Sequence, residues 1–118
     1  MTVTHLASAE EFKQNILPFD GIVLIDFWAT RCSPCKMLGP IIEKIGEHYA
    51  NNPKVKIVKV DVDENQELAW AFQIQSIPTV YLLEGGQVVD RMVGVQQEDV
   101  YIAKIDELME AWSEKHEA

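Results

Sequence analysis

Apolar and polar positions along the chain predict nine elements in alternation. Ser8 followed three residues later by Glu11 reads as a capping box that opens a helix running to about Leu17, with Phe12, Ile16 and Leu17 at helical spacing. Ahead of it, residues 3–6 suit a short edge strand, and Pro18 and Gly21 break the chain behind it. Ile22-Val23-Leu24-Ile25 then starts an apolar run that reaches Phe27 and Trp28 and is interrupted only by Asp26. Such a run fits a strand covered on both faces. Met37, Leu38, Ile41, Ile42, Ile45 and Tyr49 form a helical stripe, ended by Asn51-Asn52-Pro53. Pro40 sits inside that helix and is expected to kink it, because its ring displaces the carbonyl four residues back.

Residues 55–60 alternate apolar side chains with Lys56 and Lys59, a strand pattern, and residues 64–72 form a short helix. Residues 79–83 and 88–93 are apolar runs joined by Glu84-Gly85-Gly86-Gln87, a hairpin signal because tight turns need positive φ. A last helix over residues 98–112 buries Tyr101, Ile105, Leu108, Met109 and Trp112, with only Gln96 and Gln97 available near its start as caps. The order β-α-β-α-β-α-β-β-α predicts an α/β domain with helices on both faces of one mixed sheet. No repeat or linker divides the chain, so residues 1–118 are expected to form a single domain.

Composition then narrows the chemistry. At 118 residues and 47% apolar, the chain can bury a core without disulfide or metal staples. That removes the usual structural reason for its two cysteines. A net charge of −9 repels phosphate backbones and anionic lipid, which argues against nucleic acid and membrane as partners. No apolar run approaches the ~18 residues of a membrane span. The opening Met1-Thr2-Val3-Thr4-His5-Leu6 lacks the basic start and apolar stretch of a signal peptide, so a cytoplasmic location is expected. There, a lone Cys pair points to catalysis or metal binding rather than to structure.

Cys32 and Cys35 stand two residues apart at the junction of the buried strand and the long helix. A helix start offers unpaired N–H groups and a positive dipole end, both of which favour thiolate, the nucleophilic form. Cys32 is expected at or just before that start with its sulfur exposed, and Cys35 one turn in and shielded. This makes Cys32 the attacking thiol and Cys35 the resolving one. Pro34 fits the first turn, where a missing N–H costs nothing, and stiffens the loop. Two other readings stay open: a pair of small core residues, and a metal site. Zinc needs four ligands, and only His5, His48 and His116 could join the pair, none at a ligand-like spacing. An iron–sulfur site needs more cysteines.

The segment Val23-Leu24-Ile25-Asp26-Phe27-Trp28-Ala29-Thr30-Arg31-Cys32-Ser33-Pro34-Cys35-Lys36-Met37 resembles the active-site stretch of the thioredoxin family. Pro40, Lys59-Val60-Asp61-Val62-Asp63, Ile77-Pro78-Thr79 and Gly94 match further motifs in the same order, from about Phe12 to Leu108. The resemblance implies the thioredoxin fold, a central mixed five-stranded sheet flanked by four helices. It implies a protein thiol–disulfide oxidoreductase that reduces disulfides by exchange, with no bound cofactor beyond the redox-active Cys32–Cys35 disulfide. Its expected partners are disulfide-containing proteins and a flavin-dependent thioredoxin reductase, and nothing in the sequence suggests an obligate dimer.

Residue by residue, the resemblance makes Asp26 a buried acid that accepts the proton of Cys35, with burial raising its pKa towards neutrality. Taken alone, Asp26 also admits a second reading, a solvated residue at a strand end. Lys59 matches the family lysine that approaches this acid; by position alone it reads as an exposed strand residue. Trp28 matches a tryptophan packed beneath the active-site loop, and it also reads as plain core. Pro78 matches a proline that is cis and faces the Cys pair, which would let the backbone of Ile77 pair with an extended substrate segment. Gly94 and Val95 would form the far wall of that groove, the glycine leaving room for the substrate.

Two positions depart from the family's usual Trp-Cys-Gly-Pro-Cys loop. Arg31 replaces an apolar docking surface with a cation, which is expected to stabilise the Cys32 thiolate and raise the potential, unless the side chain is simply solvated. Ser33 adds a hydroxyl able to bond a sulfur. Two alternative functions are a peptide-binding or chaperone-like module that uses the Ile77-Pro78 groove, and a more oxidising disulfide oxidase or isomerase.

Overall fold

The computed structural model describes residues 2–116; Met1, Glu117 and Ala118, which the expected domain includes, lie outside the described residues. The elements follow the predicted order: β1 (Thr4–His5), α1 (Ala9–Asn15), β2 (Ile22–Trp28), α2 (Ser33–His48), β3 (Val55–Asp61), α3 (Gln66–Ala71), β4 (Thr79–Glu84), β5 (Gln87–Val93) and α4 (Glu98–His116). The strands lie in the order β1-β3-β2-β4-β5. β1, β3 and β2 are parallel, while β4 and β5 join antiparallel. The apolar run at Ile22 therefore sits at the centre of the sheet, where both faces must be covered.

Alternation along β2 sends successive side chains to opposite faces. Leu24 meets Leu38, Ile42 and Ile45 of α2 and Tyr101 and Ile105 of α4 in one core. Ile25 and Phe27 meet Phe12 of α1, Leu68 of α3 and Tyr81 of β4 in the other. Phe27, Phe72 and Tyr81 pack ring on ring there, with centroids 5.0 to 5.8 Å apart. By the same alternation, Asp26 and Trp28 share the α2 side with Leu24. The charged residue in the central strand is thus aimed under the Cys-bearing helix.

Several expectations shift in detail. α1 stops at Asn15, because the N–H groups of Ile16 and Leu17 both close on the Phe12 carbonyl and leave Leu17 exposed. Ser8 caps the helix by accepting from the Glu11 N–H, but the Glu11 carboxylate reaches back to the Ala7 N–H rather than to Ser8. Met37 falls off the apolar stripe and is 67% exposed; Leu38, Ile42, Ile45 and Tyr49 are the buried positions. α2 continues through Pro40 to His48. α3 is shorter than expected, since the Asn65 amide donates to the carbonyls of Leu6 and Asp61 instead of capping the helix. Gly85 and Gly86 take φ of 56° and 83° in the β4–β5 turn. At the start of α4 the Gln96 N–H donates to the Tyr101 hydroxyl, which supplies the anchor that the sequence there lacks.

Candidate active site at the start of α2

Cys32 is the N-cap of α2, with extended backbone (φ −129°, ψ 107°), and Ser33 and Pro34 follow as the first two helical residues. Pro34 has no N–H at a position where one would go unpaired, and its φ is already helical. The next N–H, that of Cys35, donates to the Cys32 sulfur at 3.2 Å, and the Lys36 N–H closes on the Cys32 carbonyl at 3.1 Å. The helix start is therefore aimed at one sulfur, with no acidic residue in the first turn to offset its positive end. The two cysteines are joined as a disulfide, Cα to Cα 5.2 Å. Both are nearly closed off, Cys32 at 8% and Cys35 at 4% exposure, so the expected contrast in access is slight in this oxidised form.

Ala29 is buried with the pair, and Trp28, Val62 and Ile77 pack against them. The peptide bond between Ile77 and Pro78 is cis, and the Ile77 carbonyl oxygen lies 3.8 Å from the Cys32 sulfur. The Gly94 N–H donates to the Pro78 carbonyl at 2.9 Å, which brings the end of β5 to the same edge. Gly94 has φ of +87°, and the space where a Cβ would project is open. Glycine is required there by the backbone, and the opening beside it is real. Val95 is half-buried and packs on the α2–α4 core rather than standing free as a wall.

Asp26 is 1% exposed, and neither carboxylate oxygen has a hydrogen-bond partner. Burial raises its pKa from 3.8 to about 7, with Lys59 pulling part of the way back. The solvated strand-end alternative is thereby set aside. Lys59 is the register partner of Asp26 across β2 and β3, yet its ammonium lies 4.7 Å from the centroid of the Trp28 ring and makes no ion pair with the acid. The buried indole N–H of Trp28 also lacks a partner. No hydrogen bond joins Asp26 to Cys35 in the disulfide form.

Cys32, Cys35, Trp28, Ile77, Pro78 and Gly94 thus converge. Arg31, Ser33 and Pro34 are exposed around them, and among the described residues Arg31 forms no ion pair. A cleft of about 910 Å³ beside the site was not visible in the sequence; it is lined by Val62, Asp63, Trp70, Ile74 and Ile77 among others. The available signal was Trp70, an apolar residue off the buried side of α3.

The Thioredoxin family model matches residues 3–107. A thioredoxin of Chlorobaculum thiosulfatiphilum is 46% identical over 101 residues, covering 86% of this chain and 92% of that protein. The chain is also similar to a bifunctional thioredoxin reductase/thioredoxin of Mycobacterium leprae, 44% identical over 94 residues that make up 80% of this chain and 20% of that protein. Among solved structures, a mutant thioredoxin from Halobacterium salinarum superposes with a TM-score of 0.80 at 33% identity, covering 91% of this chain and 90% of that one.

Proposed function

The chain belongs to the thioredoxin family, and from that premise we propose how its site reduces a disulfide. The protein is a thiol–disulfide oxidoreductase, a protein-disulfide reductase that works through Cys32 and Cys35. The observation that carries the assignment of roles is the Cys35 N–H directed at the Cys32 sulfur. It stabilises negative charge on Cys32, so Cys32 attacks.

In the reduced protein the Cys32 thiolate attacks one sulfur of the substrate disulfide. A Cys32–substrate disulfide forms, and the substrate's other sulfur leaves and takes up a proton. Asp26, ionised in part near pH 7, takes the proton of Cys35. Cys35 then attacks Cys32 and expels the second substrate sulfur. The substrate gains two electrons and two protons, and the protein ends as the disulfide seen here. The open edge at Ile77, Pro78 and Gly94 holds the substrate chain alongside. Lys59 acts through Trp28 and through its field at Asp26.

A thioredoxin reductase returns the electrons, and we assign it a flavin. The Mycobacterium leprae relative, which joins reductase and thioredoxin in one chain, supports that partnership. The protein is proposed to work as a monomeric single domain in the cytoplasm, where disulfides are continually reduced. Arg31 places a cation in the loop next to Cys32, and we propose that it lowers the thiol's pKa and makes the disulfide more oxidising.

Reduction of a protein disulfide by the Cys32→Ser and Cys35→Ser variants tests the roles. Both should lose turnover, and Cys35→Ser should retain substrates as mixed disulfides on Cys32. Trapping on Cys35 in the Cys32→Ser protein at an equal or higher rate would overturn the assignment. For Arg31, an Arg31→Trp variant should show a higher Cys32 pKa, and an unchanged or lower one overturns its role.

A further inference from the structure

Trp70 is 84% exposed, more than any other large apolar side chain among the described residues. It does not serve the core. α3 buries Leu68, and Trp70, two positions on, projects from the far side of the helix. An indole held in water costs free energy that only a covering partner recovers.

The cleft beside Trp70 runs into the redox site. Val62 and Ile77 line it, and the same two residues pack against the Cys32–Cys35 pair. A polypeptide with its disulfide at Cys32 therefore has neighbouring residues within reach of Trp70. The polar lining has one sign: among the described residues Asp63 is the only charged side chain in the cleft, the rest of its polar wall being glutamines. Glu64 and Glu67 stand exposed beside it in a chain of net charge −9.

We propose that Trp70 and Asp63 form a docking subsite for protein substrates, which selects targets with an apolar side chain next to a lysine or arginine near the reacting cysteine. The proposal rests on the reading that this chain reduces protein disulfides. Trp70 supplies the apolar contact of the kind that dominates interfaces, and Asp63 sets the sign of the partner's charge.

The test uses three oxidised substrates: a peptide disulfide with Leu and Lys beside its cysteine, the same peptide with Gly and Glu, and hydroxyethyl disulfide as a substrate too small to reach the cleft. The wild type should favour the Leu-Lys peptide over the Gly-Glu one. Trp70→Ala should lower kcat/KM for the Leu-Lys peptide about tenfold through KM. It should leave kcat, hydroxyethyl disulfide reduction and thermal stability unchanged, and Trp70→Phe should restore most of the loss. Asp63→Lys should reverse the preference between the two peptides.

Equal rates on both peptides in the wild type would overturn the proposal. So would an equal fall of peptide and hydroxyethyl disulfide in Trp70→Ala, which would place the effect on the cysteines themselves. A wild-type dimer in gel filtration that Trp70→Ala dissolves would give the cleft to a second copy of the chain instead. Failure of the wild type to reduce any of the three would overturn the reductase reading, and this one with it.

Discussion

The ammonium of Lys59 lies 4.7 Å from the centroid of the Trp28 ring, not on the carboxylate of Asp26 that it faces across the sheet. The lysine is therefore held by a cation–π contact and reaches the acid only through its field. That field lowers a pKa which burial has raised. Removing the charge with Lys59→Met should move the Asp26 pKa further up and carry the pH dependence of Cys35 attack with it. Carbon-13 NMR titration of the Asp26 carboxyl checks the shift; no upward movement would show that the field is negligible. Trp28 fluorescence should change in the same variant, since the ring loses its cation.

Asp26 also predicts how stability depends on pH. Its folded pKa of about 7 lies above the ordinary 3.8, so the folded protein holds more protons than the unfolded chain between those values. The contribution of Asp26 to stability is therefore fully present below about pH 4, is lost as the pH rises towards 7, and stays lost above it. The gap corresponds to a loss on the order of 4 kcal/mol at alkaline pH. Asp26→Asn should be clearly more stable than the wild type in urea at pH 8 and show little advantage at pH 4. A gain of the same size at both pH values would mean that the charge is not the cause.

Gly46 lies inside α2, where alanine is normally better by about 1 kcal/mol. Here a Cβ would come within 2.6 Å of Val3 Cγ2 and 2.9 Å of the Thr2 carbonyl oxygen. Gly46→Ala should therefore destabilise by about 1–2 kcal/mol, as overpacking outweighs propensity. The check is a urea midpoint, which should fall. A rise would show that the N-terminal segment yields at no cost.

Gln73 has φ of 54°, the left-handed region, at the end of the turn that follows α3. Gln73→Gly should raise stability by up to about 1 kcal/mol, and Gln73→Val should lower it because a β-branched side chain suffers most there. Thermal melting of the two variants, which should bracket the wild type, checks the sign.

Met37 and Trp70 show where the apolar pattern stops being informative. Both read as hydrophobic residues of helices, and the two are the most exposed large apolar side chains among the described residues. Val88 and Val89 tell the same story on β5: each belongs to an apolar run, yet both are exposed, because β5 is an edge strand and its register with β4 shifts at Leu82 and Leu83. Local periodicity reports which side chains share a face. It does not report whether anything covers that face.

The sequence by itself determined the order of the elements, the strand–helix junction that carries Cys32 and Cys35, and the place of Pro34 in the first turn. These depend on periodicity, turn chemistry and helix-end geometry, which operate over a few neighbouring residues. The family resemblance implied a buried Asp26 and a Pro78 that faces the Cys pair; only the tertiary structure decided that the Ile77 carbonyl lies 3.8 Å from the Cys32 sulfur, that neither Asp26 oxygen has a partner, that Lys59 turns to Trp28, and that a cleft joins Trp70 to the site. Each of these follows from how the helices close over the sheet. That is settled by packing among distant segments, so no short stretch of the chain records it.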